Sequence, residues 1–455
     1  MVANGANAAG ERLKILFTEG SSLSARQTLY PLAGLHEVNI VDPQRLCLCR
    51  FSRLVRRWRR CPSYSKTPEA YVEFLVRHVQ QQKYDVLLPT HEQAYLVARF
   101  RDQLSQYVHL AVPDFATIER AQSKVGFLRI LQHLKLPHPE TAVLTSYREL
   151  DRAWKFPCFL KLAHGTAGNG VRLAHNIVEL REAADDFRRL GAIDERTEFL
   201  VQQPAVGEQS TVQAVFQHGR LVGVHCCRTT IIGTGGGNLG RESAHQPQVV
   251  ADVAALGAYL NWHGALSVEY FFDTATGQPE YYECNPRIGE TFNAFLSGVN
   301  LPQALVQVSM NRHVERLPDS RPGIRTHSGF MAVMDRAVKG GGRRQLLSTM
   351  REIRRHEGVF SGAQDELTRP REDWLSAIPA AWLVARLLVR PAVARDIVRQ
   401  TVDNYSLPEA AADRIRALPT AVDDLPERDS IRAIQQFASS CAAPPKRRAP
   451  LPRRG

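Results

Sequence analysis

Glu269, Glu283 and Asn285 are the residues of this chain whose types and spacing best suit the holding of a divalent cation, with Arg287 beside them to meet an anion. Glu269 lies in the apolar run 266–273, and Glu283 and Asn285 lie in the run 281–285. Asp273 and Gly277 between the runs are turn residues, which predicts a hairpin. Side chains alternate across a strand, so Glu283 and Asn285 share one face, and strand pairing can bring Glu269 beside them. Two carboxylates and an amide oxygen form a hard-oxygen cluster. That suits Mg²⁺ carried by nucleotide phosphates, which keeps several waters and needs few protein ligands. Arg287, two positions beyond Asn285, falls on the same face if the strand continues, where a guanidinium can grip a phosphate or carboxylate oxygen. Two glutamates by themselves would equally suit a solvated acidic face.

The string Glu283-Cys-Asn-Pro-Arg287 resembles the Glu-x-Asn-Pro-Arg signature of the ATP-grasp superfamily, with Glu269 as the preceding metal ligand. The resemblance implies two Mg²⁺ ions, or Mn²⁺ in their place, bridging the phosphates of ATP, with Glu283 shared between them. It also implies matching elements upstream. Within 118–134, a stretch that reads as helical, Ser123-Lys124 opens a helix that runs into Leu136-Pro-His-Pro139. Lys161 ends a predicted strand over 158–162 and is followed by the loop Gly165-Thr166-Ala-Gly168-Asn-Gly170. By resemblance, one lysine sits on the α-phosphate, the other near the α- and β-phosphates, and the loop closes over them. The chemistry is sound, since a flexible ammonium can follow a phosphate and glycines let backbone N–H groups approach it.

The stretch 199–212 resembles the superfamily's adenine hinge, with Gln202 and Gln203 where an acidic residue is usual. The ribose-binding carboxylate falls on Glu208 or on Gln209, a matter of one residue of register. In 225–237, Arg228 stands where a basic residue often faces substrate and γ-phosphate. The glycine run 233–237 reads either as a mobile loop over the acceptor or as a plain solvent loop.

The activity so implied is that of a ligase. A carboxylate is activated as an acyl phosphate by Mg·ATP and passed to an amine or similar nucleophile, both substrates being small molecules. A bicarbonate-activating enzyme of the carbamoyl-phosphate synthase and carboxylase type is the alternative, and an ATP-binding regulatory or membrane-associated protein is the non-enzymatic one.

These residues need elements to hold them. Short apolar strands at 14–17, 38–41 and 86–89 alternate with helical stretches, which predicts a parallel-sheet α/β domain over 11–120. An α+β ATP-grasp domain is expected over 121–315, divided into 121–197 and 198–315. A mainly helical region over 316–435 and a disordered basic tail over 436–455 follow. Arg53, Arg56, Arg57 and Arg60 recur at helical spacing within 45–60, a segment with seven arginines and no acid. We read that segment as a basic helix serving solvent, an anionic substrate or an acidic membrane.

The chain has 455 residues and a formal net charge of +12, which favours anionic partners. No nucleic-acid motif accompanies that charge. The 8 cysteines form no CxxC pair, which points to free thiols in a reducing cytoplasm. No apolar run approaches the roughly 20 residues of a membrane span. The cytoplasm is therefore expected, with contact at the inner membrane face and homo-oligomerisation both left open.

Overall fold

The computed structural model describes residues 11–422, apart from 166–167, 169, 195–196 and 368–370. The expected basic tail over 436–455 and Thr166 of the glycine loop lie outside the described residues.

Three sheets organise the described residues. The first has the order β3-β2-β1-β4, all parallel, from β1 (Lys14–Phe17), β2 (Glu37–Asp42), β3 (Val55–Arg60) and β4 (Val86–Leu88). β1 and β4 are short apolar runs because helices cover the sheet. Helix Pro68–Gln82 covers one part with Tyr71, Leu75 and Val79 buried.

The basic segment is not a helix. Its second half is β3, the edge strand of this sheet, with Arg56, Arg57 and Arg59 exposed. The physical reason is that an edge strand pairs on one side only, so charged side chains are tolerated there and discourage pairing with another chain. Arg50 lies over the Trp58 ring at 4.2 Å, which accounts for the aromatic among the arginines.

The helix expected over 118–134 is two helices, Phe115–Gln122 and Lys124–His133. Ser123 divides them. Its backbone is extended and its hydroxyl accepts from the Gly126 amide at 3.3 Å, so it caps the second helix. The corner is tight. A Cβ at Gly126 would lie 2.3 Å from the Arg120 carbonyl oxygen.

The second sheet is antiparallel with the order β5-β8-β6-β7, from β5 (Thr141–Leu144), β6 (Cys158–Leu162), β7 (Val171–Ala174) and β8 (Phe199–Gln202). Helix Ile177–Arg189 packs on it through Leu180, Ala184 and Phe187.

The third sheet has seven strands in the order β13-β12-β9-β10-β11-β14-β15. They are β9 (Glu208–Gln217), β10 (Arg220–Ile232), β11 (Asn238–Ala244), β12 (Gly264–Asp273), β13 (Gln278–Asn285), β14 (Arg325–His327) and β15 (Gln364–Asp365). β14 and β15 extend this sheet beyond residue 315, so the region expected to be helical also contributes strands.

Past β14, helices Gly329–Val338, Arg343–Arg355, Ile378–Val389 and Ala394–Tyr405 share a core that includes Val333, Leu346, Leu387 and Ala394. The last described helix, Glu409–Ala417, returns to the first sheet's core through Ala411, Ala412 and Ile415. Among the described residues, no helix is long and apolar enough to cross a membrane. Cysteines 47, 49, 61, 158, 226, 227 and 284 are free and buried.

Candidate nucleotide and metal site

The hairpin of β12 and β13 sets Glu269 directly across from Glu283, and Ser267 across from Asn285. The Asn285 amide donates to Glu269 Oε1 at 3.1 Å, and the Tyr282 hydroxyl donates to Glu269 Oε2 at 2.8 Å. Desolvation, and then the Glu283 carboxylate, hold the Glu269 carboxyl above the usual carboxylate range. That mutual repulsion is what a divalent cation between them would relieve. The Asn285 oxygen accepts from Arg287 at 2.8 Å, so it would reach a metal only after the amide flips. Among the described residues no cluster of three or more His, Cys, Asp and Glu is placed to hold a metal. Two carboxylates and an amide fit an ion that brings its remaining oxygen ligands on phosphates and water.

Lys124 and Lys161 reach this pair from two directions. Lys124, the first residue of its helix and 5% exposed, places Nζ 3.2 Å from Glu283 Oε1 and donates to the Gly165 carbonyl at 3.3 Å. Lys161 is on β6, with Nζ donating to Gln202 Oε1 at 2.5 Å and lying 5.0 Å from the centre of the Tyr282 ring. Burial pulls the Lys161 ammonium down to about 8, against the opposing pull of Glu283.

The loop between β6 and β7 turns through Gly168 and Gly170 at φ of +76° and +85°, a region that favours glycine. It is braced from the C-terminal side. Glu409 accepts from the His164 amide at 3.2 Å, and Arg416 meets the His164 ring at 2.8 Å. Burial, with Arg416 and Lys124 nearby, depresses His164 to about 3, so its ring is neutral and suited to lie against cations.

The carboxylates, the two lysines and the glycine loop meet on one cavity of about 610 Å³. Lys124, Lys161, Gly165, Gly168, Gln202, Gln203, Glu269, Glu283, Asn285 and Arg287 line it. Gly170 sits just behind, where a Cβ would meet Leu162 and the His164 carbonyl at 3.3 Å.

Two expected residues stand elsewhere. Glu208, exposed, and Arg228, half-buried, pair with each other at 3.3 Å away from the lining, and Arg228 also pairs with Glu242 at 3.2 Å. Alternation explains this. Gln209, Thr211 and Gln213 of β9 and Cys227 of β10 face the cavity, so Glu208 and Arg228, one position away, face outward. Of the two positions left open in the sequence, Gln209 is the one on the cavity, and its amide donates to the Gly236 carbonyl at 2.9 Å. The glycine run lies along the cavity at Gly236 and Gly237, and Thr234 is tied to Asp335 at 2.6 Å.

The cation on the cavity face of this end of the sheet is Arg241 on β11, which sequence reasoning missed. It is 5% exposed, bonds both Glu366 oxygens at 2.6 Å and lies 3.5 Å from Glu290. Strand alternation could have found it only once one residue of the sheet, such as Cys227, was known to face the cavity. Arg287 has a further partner from the stretch after β4. It donates to Glu92 Oε1 at 2.7 Å. Burial alone would lower the Arg287 pKa, yet the Glu92, Glu290, Glu269 and Glu283 carboxylates outweigh it and raise it.

No family model matches the chain. The D-aspartate ligase of Enterococcus faecium (strain Aus0004) is 22% identical over 274 residues, 54% of this chain and 64% of that protein. The chain therefore spans just under two thirds of that relative's length. The L-amino acid ligase structure from Bacillus licheniformis superposes with a TM-score of 0.53 at 18% identity, covering 67% of this chain and 76% of that one. A biotin carboxylase from Campylobacter jejuni, solved as a beta-gamma-ATP complex, gives 0.52 at 15% identity, covering 70% and 75%. With the signature on β13 and the two lysines converging on one cavity, the chain has the ATP-grasp fold.

Proposed function

We propose that this chain is an ATP-dependent ligase that activates a carboxylate and transfers the acyl group to an amine or similar nucleophile. The observation that carries the reading is the meeting of Lys124, Lys161, Glu269, Glu283, Asn285 and Arg287, drawn from three separate stretches of chain, on one cavity.

In this reading Glu269, Glu283 and, after an amide flip, Asn285 would hold one or two Mg²⁺ ions, or Mn²⁺, which neutralise phosphate charge when bound. Lys124 and Lys161 hold the phosphates, and Gln202 orients Lys161. Phe159, Gln203, Pro204 and Ala205 border the end suited to adenine. Arg287, fixed by Glu92, steadies the γ-phosphate or the carboxylate. A carboxylate oxygen bonds to the γ-phosphorus as the bond to the β,γ-bridging oxygen breaks, releasing ADP. The amine nitrogen then bonds to the acyl carbon, the carbon–oxygen bond to phosphate breaks, and the nitrogen gives up its proton. Catalysis is positioning plus charge neutralisation. We keep the division into 11–120, 121–315 and 316–435 as functional units: substrate side, nucleotide side and a closing wall.

Release of ADP and phosphate, screened over pairs of carboxylates and amines, tests the reading. Turnover that needs both partners is expected. Turnover with bicarbonate alone would favour the carboxylase alternative. Nucleotide binding without turnover on any pair, unaffected by Glu283→Ala, would favour a regulatory protein.

Contact with an acidic membrane is a separate proposal. It is supported by exposed Trp374, Ile378, Trp382 and Val389 beside exposed Arg386 and Arg390. Co-sedimentation with anionic but not neutral vesicles is the expected result. No binding to anionic vesicles at low salt would overturn it.

A further inference from the structure

The cavity is larger than a nucleotide site needs to be in one direction, and that direction is apolar. The order of the seven-stranded sheet sets the geometry. The Glu269–Glu283 pair sits on β12 and β13, at one edge. From β12 the sheet passes through β9 and β10 to β11, three steps of ~4.8 Å or roughly 14 Å. The cavity follows this path, lined by Ser267, Gln213, Cys227, Arg241 and Leu239.

Beyond β11 it is walled by Phe330, Met331 and Met334 of helix Gly329–Val338, Leu383 of helix Ile378–Val389, and Ile397 and Val398 of helix Ala394–Tyr405. Among the described residues, Thr401 is the one polar side chain this region adds to the lining. Arg241, at the border, has its charge met by Glu366 and Glu290.

The adenine end lies elsewhere, near Phe159 and Gln203–Ala205, so the nucleotide base does not account for this wall. A small polar acid or bicarbonate would leave it uncovered, and apolar surface facing a cavity favours an apolar ligand by about 25 cal/mol per Å² buried. Methionine is adaptable, so Met331 and Met334 suit a range of apolar shapes rather than one.

We propose that the substrate end takes a molecule with an extended apolar group, a hydrocarbon tail or a large aliphatic or aromatic side chain, seated against the 330–401 wall. Its reacting group lies between Arg241 and the Glu269–Glu283 pair. The inference rests on the carboxylate-activating reading and names its substrate class. The apolar group belongs either to the carboxylate or to the amine, and the shared chemistry is the apolar group itself.

The test uses the full chain with Mg·ATP and follows ADP release. In one arm, linear carboxylates from acetate to decanoate, leucine, phenylalanine and aspartate are each paired with ammonium. In the other, linear amines from methylamine to octylamine are each paired with acetate and with aspartate. In one arm, kcat/KM is expected to rise about threefold to fourfold per added methylene until the wall is covered, the ~0.8 kcal/mol of a buried CH₂. The arm that responds identifies the source. Met331→Gln, similar in size, is expected to flatten that rise while leaving the KM for ATP unchanged.

A second measurement separates this inference from the reading beneath it. If no pair releases ADP, the ligase reading fails, and calorimetric titration of decanoate and of octylamine into the Mg·ADP-loaded chain still decides the apolar site. Binding that Met331→Gln weakens at least tenfold supports it. Highest kcat/KM with aspartate, no gain with chain length in either arm, or binding equal in wild type and Met331→Gln overturns it.

Discussion

Glu283→Gln is expected to lower ADP release by about 10²- to 10³-fold, the size of effect seen when one charge-stabilising group leaves a preorganised site. The half-saturating Mg²⁺ concentration is expected to rise with it. Folding should suffer far less, because two effects oppose each other. Lys124, nearly buried, loses its carboxylate partner at 3.2 Å. At the same time Glu269 is released from the like charge that helps hold its proton on. Steady-state assays over a Mg²⁺ series, with a melting curve on the same samples, check both halves. Turnover within tenfold of wild type would remove Glu283 from the metal site. A large loss of melting temperature would show that the residue acts through the fold.

Lys161→Met is expected to weaken nucleotide binding by roughly tenfold to a hundredfold, since a charged hydrogen bond contributes about 1.5–3 kcal/mol. Its signature is in the pH profile. In the free protein the ammonium is pulled down to about 8, chiefly by burial. It is charged below that pH and neutral above, so wild-type affinity for ADP should fall as pH rises past about 8. Stability runs the other way. Between about 8 and the unfolded value of ~10.4, the native chain holds fewer protons at this site than the unfolded chain, so this group adds stability as pH rises. The difference between wild type and Lys161→Met isolates both trends by calorimetric titration and by melting. An alkaline loss of affinity that persists in Lys161→Met would assign it to another group.

Much of the site was legible because its determinants are local. A lysine at a strand end followed by glycines, and Glu283 and Asn285 two positions apart on a strand, depend on the two-residue period and on turn chemistry. The structure keeps Lys161 on β6 and Glu283 opposite Glu269 for those reasons. The misreadings arose where two periods fit the same residues. Arginines at 53, 56, 57 and 60 satisfy a helix, yet the segment from Val55 is an edge strand. Helical apolar spacing runs through 118–134, yet Ser123 ends one helix and caps the next.

What the sequence determined by itself is a set of groups that meet on the cavity: Lys124, Lys161, Gly165 and Gly168 of the glycine loop, Glu269, Glu283, Asn285 and Arg287. Tertiary structure alone decided what surrounds them. It chose Gln209 and Arg241 over Glu208 and Arg228 for the cavity face, and it supplied the partners that hold the two arginines. Glu92 reaches Arg287, and Glu366 reaches Arg241, from distant parts of the chain. It also closed the far end with apolar side chains from three C-terminal helices. The physical reason is range. Alternation and capping act within a few residues, whereas a buried charge finds its counter-charge, and a cavity its wall, only when sheets and helices have packed.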